Sequence, residues 1–97
     1  MKSINLGLQI VPKSSSLDTY SLVDKAIEVI SNSGVKYEVT PFETVMEGPE
    51  EQLMEIAKNA QQAVLDAGAD EVLVYYRLQI RNSGDVTMGE KTDKHRQ

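Results

Sequence analysis

Two helical stripes that each stop at a glycine constrain this chain more than any other feature. In the first, Tyr20, Val23, Ile27 and Ile30 recur at helical spacing with Ala26 beside them, and Gly34 follows. In the second, Leu53, Ile56, Ala57, Ala60, Val64 and Ala67 do the same, and Gly68 follows. Glycine adopts left-handed backbone without a Cβ clash, so both positions read as the residue just past a helix end. Their beginnings are marked too. Asp18, with Ser16 as the alternative, can accept from an unpaired first-turn N–H. Gly48-Pro49-Glu50-Glu51 places proline at the first helical position and two glutamates against the positive end of the helix dipole.

Strands fill the spaces between. Ile4, Leu6, Leu8 and Ile10 alternate with Asn5, Gly7, Gln9 and Val11, and Pro12 is expected to end that strand because it cannot donate to a ladder. Lys13–Leu17, with Ser14, Ser15 and Ser16 in succession, reads as a loop. Lys36–Thr40 and Thr44–Glu47 form two short strands around a turn at Pro41 and Phe42. Glu71–Arg81 is the last strand, with Val72, Val74, Tyr76, Leu78 and Ile80 on one face. Asn82–Asp85 is turn-like, and Val86–Gln97 shows no pattern of stable structure. The order strand, helix, strand, strand, helix, strand predicts an α+β, ferredoxin-like βαββαβ fold: a four-stranded antiparallel sheet with two helices on one face. The halves are too dissimilar to be a duplicated repeat. No glycine-rich phosphate loop follows the first strand, which argues against a Rossmann reading.

The chain of 97 residues has room for a single domain, with a core at about 3–82 and a polar tail at 83–97. Its net charge of −5 argues against nucleic acid and anionic membrane surfaces as partners. It has no cysteine, so disulfides, thiolate metal sites and a cysteine nucleophile are excluded. No signal peptide or apolar run of about 20 residues is visible, and a cytoplasmic location is expected. His95, the only histidine, sits among charged residues near the terminus and reads as a solvated tail residue, so no His triad and no metal site is expected.

The sheet face away from the helices should carry Asn5, Gly7, Gln9 and Val11 beside Leu73, Tyr75, Arg77, Gln79 and Arg81. Such a mixture suits either a solvated face or one that packs on a second copy and leaves polar pockets at the seam. On the middle hairpin, Glu47 is a carboxylate between residues that favour burial. It requires a partner: Arg77 across the sheet, a ligand, or both. Thr44 is either a ligand contact or a strand-forming β-branched residue. Tyr37 and Tyr75 could stack on a flat ring. Tyr76 falls with the core residues and Tyr20 with core or rim. Glu50, Glu51 and Glu55 read as a solvated helix face, and no feature supports a substrate bond between Glu43 and Glu47 as catalytic carboxylates.

Pro12, the segment SGVKYEVTPFETVMEG and the Ala67-Gly68 helix end before a long strand together resemble the small thiamine-binding protein family, over about Ile4 to Arg81. The resemblance implies sheet-to-sheet dimers that can pair into tetramers. It also implies binding of thiamine or its hydroxymethylpyrimidine portion, with Thr44 and Glu47 as the positions carried over. The chain departs from the family at its short C-terminal segment. The expected function is therefore non-enzymatic ligand binding by a homo-oligomer, with no cofactor and no catalytic residue, at a site of Thr44, Glu47, Tyr37, Gln9, Tyr75 and Arg77. The alternatives are a structural or regulatory oligomerisation module without a ligand, and a cofactor-independent enzyme relying on Glu47 with Arg77 or Tyr75.

Overall fold

The computed structural model describes residues 2–95. The elements run β1 (Ser3–Lys13), α1 (Thr19–Asn32), β2 (Lys36–Val39), β3 (Thr44–Pro49), α2 (Glu50–Asp66), β4 (Glu71–Gln79) and a one-turn α3 (Gly89–Thr92) that continues into a 3-10 turn at Asp93–His95. The sheet order is β2-β3-β1-β4, with every neighbouring pair antiparallel. This is the expected α+β, ferredoxin-like architecture.

The helix boundaries follow their local chemistry. Asp18 caps α1, its Oδ2 accepting from Ser21 N at 3.0 Å. Gly34 and Gly68 take φ of 86° and 113° just past the helix ends, where a Cβ would be strained. Pro49 is the N-cap of α2 in extended conformation, one position earlier in role than expected, and Glu50 and Glu51 form the first turn.

The core lies between the sheet and the helices. Ile4, Leu6, Leu8 and Met46 meet Leu22, Ala26 and Ile30 of α1 and Leu53, Ile56, Ala57, Ala60 and Val64 of α2. Tyr76 joins its edge, its hydroxyl donating to Gln61 Oε1 at 2.7 Å. Tyr20, expected at the core or rim, is 80% exposed, because Leu22 takes the inward position on α1. Leu78 and Ile80 also stay largely exposed at the sheet edge.

Pro12 does not end β1. β3 pairs with β1 only as far as Leu8, so from Gln9 onward β1 has a neighbour on one side, and such a position tolerates proline.

The larger correction concerns residues 85–95, which have a fixed place on the sheet; Arg96 and Gln97 lie outside the described residues. Val86 N donates to Ser3 O at 3.0 Å and Asp85 Oδ1 accepts from Ser3 N at 2.8 Å. Val86 and Met88 are buried. Arg81 pairs with Glu90 at 2.7 Å. Thr87 and Glu90 cap each other: Glu90 N donates to Thr87 Oγ1, and Thr87 N donates to Glu90 Oε1. The face opposite the helices is thus partly covered from within the chain.

Candidate functional site

Register arranges the open face in rows. The first row is Lys36, Glu47, Asn5 and Gln79, and the second is Glu38, Val45, Gly7 and Arg77. Gln9 with Tyr75, then Val11 with Leu73, complete the β1–β4 side. The C-terminal segment crosses the first row. Asn5 Nδ2 donates to Val86 O at 3.1 Å, Met88 N donates to Glu47 Oε1 at 2.7 Å, and Lys91 Nζ donates to Gln79 Oε1 at 2.6 Å.

Beyond that strap the face opens into a cleft of about 200 Å³ lined by Asn5, Gly7, Glu43, Val45, Arg77, Leu78, Gln79 and Lys91. A second hollow of about 210 Å³ adjoins it, lined by Gln9, Phe42, Glu43, Tyr75 and Arg77. Glu43 and Arg77 border both. Their charged groups are 3.8 Å apart, and Arg77's side chain is 81% exposed against 23% for Glu43. At that separation in solvent the pair contributes little, and the half-buried carboxylate keeps acceptor capacity for another group.

Gly7 makes this arrangement possible. A Cβ there would run into the Glu43 carboxylate, which lies over the bare backbone of β1. Beside it Asn5 is only 4% exposed, and its Oδ1 has no hydrogen-bond partner among the described residues. Buried amide oxygens are nearly always satisfied, so an acceptor without a protein partner here is a candidate contact for a bound group. The cleft therefore offers acceptors from Asn5 and Glu43, amide donors and acceptors from Gln79, and a guanidinium from Arg77. The neighbouring hollow adds the Gln9 amide and the rings of Tyr75 and Phe42.

The expected site residues separate between the two faces. Gln9, Tyr75, Arg77 and Glu47 lie on the open face. Thr44 stands opposite Leu8, is 7% exposed and faces the helices, where it borders a different groove with Tyr20, Val23 and Ile27. Tyr37 aligns with Met46 on that same side. Residues three apart on a strand point to opposite faces, so Thr44 and Glu47 cannot share a surface. Nor does Glu47 pair with Arg77: its carboxylate is taken by the Met88 amide, and Arg77 lies beside Glu43. Asn5, Gly7 and Glu43 form the floor that the sequence reading left out of the site. Their signal was present as an asparagine and a glycine inside a central strand, and a carboxylate two and four residues in step with Val45 and Glu47. Among the described residues no group of three His, Asp or Glu side chains gathers as a metal site, and no helix is long and apolar enough to cross a membrane.

A family model described as thiamine-binding protein matches residues 6–96. The chain belongs to the thiamine-binding protein family. A UPF0045 protein of Clostridium perfringens is 42% identical over 96 residues, covering 99% of this chain and 100% of the relative. Among solved structures, a domain of unknown function, DUF77, from Bacillus cereus superposes with a TM-score of 0.94 at 44% identity, over 98% of this chain and 91% of the other. A Thermotoga maritima protein provisionally assigned to thiamine biosynthesis or salvage gives a TM-score of 0.87 at 29% identity, over 97% and 99% of the two chains. The thiamine-binding family match spans the sheet from Leu6 onward, both long helices and the described part of the C-terminal strap.

Proposed function

We propose that this chain binds thiamine or its hydroxymethylpyrimidine portion in the open-face cleft, without chemical turnover, as a homo-oligomer. The observation that carries the reading is the cleft floor: the buried Asn5 Oδ1, without a partner among the described residues, and the Glu43 carboxylate over Gly7. An aminopyrimidine presents an exocyclic amine and ring nitrogens along a flat edge. Its amine can donate to Asn5 Oδ1 or to Glu43, which is the stronger acceptor because it is charged. Gln79, Gln9 and Arg77 supply donors for ring nitrogens, and Tyr75 supplies an aromatic face at the adjoining hollow. Family membership and the Thermotoga relative support the same ligand class. Val11, Leu73, Tyr75 and Phe42, outside the strap, are the surface on which a second copy would sit.

Isothermal titration with thiamine and with the pyrimidine alcohol tests the ligand. Binding of either, weakened by Glu43→Gln with no change in the fold, is the expected result. No heat at millimolar concentrations of both would sink the reading and leave an assembly module in its place.

A further inference from the structure

The charges around the cleft do not follow those of the chain. The whole protein carries −5, yet the cleft is lined by two cations, Arg77 and Lys91, and a single carboxylate, Glu43. Glu43 lies beside Arg77. Lys91 has no carboxylate partner among the described residues; its ammonium donates to the neutral Gln79 Oε1 at 2.6 Å.

Lys91 is placed there by construction. Its chain neighbour Glu90 is held by Arg81 at 2.7 Å and by the Thr87 amide at 3.0 Å. Three residues before Lys91, the Met88 amide is held by Glu47. The strap therefore delivers a cation to the edge of a cleft whose floor offers acceptors for an amine.

A ligand suited to this lining carries a donor for the acceptors and an anion for Lys91, which enters the cleft on the Gln79 side. We infer that the cleft prefers the hydroxymethylpyrimidine as its phosphate monoester, with Lys91 as the phosphate contact and Asn5 and Glu43 as acceptors for the amine. This rests on the ligand reading above and narrows it. A phosphate at that place gains a charge-assisted hydrogen bond from the ammonium, which the neutral alcohol forgoes. Because the contact lies at the rim, the preference is salt-dependent.

The test compares affinities of the pyrimidine alcohol and its monophosphate by titration calorimetry at low and moderate salt. The phosphate should bind about tenfold more tightly at low salt, with the ratio shrinking as salt rises. Lys91→Met should bring the ratio to about one, and Lys91→Arg, which keeps the charge, should retain most of it. Melting curves check that both variants keep the fold. Equal affinities for alcohol and phosphate in the native chain, or an unchanged ratio in Lys91→Met, would overturn the inference while leaving the ligand reading standing. Failure of alcohol and monophosphate alike would overturn the inference, and if thiamine also gives no heat the ligand reading falls with it.

Discussion

Gly7 gives up side-chain packing in the middle of a central strand, and the Glu43 carboxylate occupies the space. Gly7→Ala should therefore act on the site rather than on the fold. Glu43 is the far end of a flexible side chain and can swing away, and alanine lowers the entropy of the unfolded chain. The melting temperature should move by no more than a few degrees, whereas pyrimidine affinity should fall about tenfold, the loss expected for a displaced charged acceptor. Parallel calorimetry and thermal melts separate these effects; unchanged affinity would show that Glu43 does not hold the ligand. Glu47 has a different task, accepting the Met88 amide at 2.7 Å. Glu47→Ala leaves that amide without its acceptor and should destabilise strap docking by about 1–3 kcal/mol, seen as faster hydrogen exchange at Val86 and Met88. Glu47→Gln keeps an acceptor oxygen and should lose less. Equal exchange in all three proteins would show that the bond does not hold the strap.

The strap is the element whose stability answers to pH. Arg81, through its hydrogen bond and its charge, and the Thr87 amide lower the Glu90 carboxyl from 4.5 to about 2. A carboxyl depressed in the docked form favours docking fully above its free value. That contribution declines once pH falls below about 4.5 and is gone below about 2. Amide exchange or chemical shifts of Thr87 and Glu90, followed from pH 6 to about pH 2, should show the strap loosening in that window. Glu90→Gln should remove the transition, and a transition that persists in that variant would assign it elsewhere. The strap also shows where sequence reasoning stops. Gly34, Gly68, Asp18 and the alternation of β1 act through neighbours in the chain, so the helices, strands and sheet order could be read from them. Thr87 and Glu90 have capping-box spacing, but one helical turn is marginal without tertiary support. Its support comes from Asn5 and Glu47, which lie 81 and 41 residues from Val86 and Met88. The same local view let Thr44 and Glu47 be joined in one site, although strand geometry sends them to opposite faces. It left Glu43 aside, since only the bare backbone of Gly7 across the sheet shows why that carboxylate can lie flat.

At the scale of the molecule, the strap covers the row of Glu47, Asn5 and Gln79 and leaves open the Glu43–Arg77 cleft and an apolar group beyond it. Phe42, Tyr75 and Leu73 on the uncovered side are 80%, 51% and 39% exposed. Apolar groups gathered on one side of a small domain favour contact with a matching surface, and a second copy carries the same patch. Two chains of −5 repel each other at neutral pH, so association must draw on apolar burial and should persist, or strengthen slightly, as salt screens that repulsion. Size-exclusion chromatography with light scattering at low micromolar concentration should return a dimer or tetramer, little changed between low and moderate salt. Leu73→Lys with Tyr75→Lys places charge where apolar contact is needed, at positions that are largely open in the isolated chain, and should give a folded monomer. A native chain that runs as a clean monomer would refute the interface. Should the double variant remain oligomeric with its melting curve intact, assembly uses another surface. The same variant reports on the site: Tyr75 borders the hollow beside Glu43 and Arg77, and Leu73 does not. If the partner completes that hollow, Leu73→Lys alone should weaken ligand binding in proportion to the dimer lost, and raising the protein concentration should restore it.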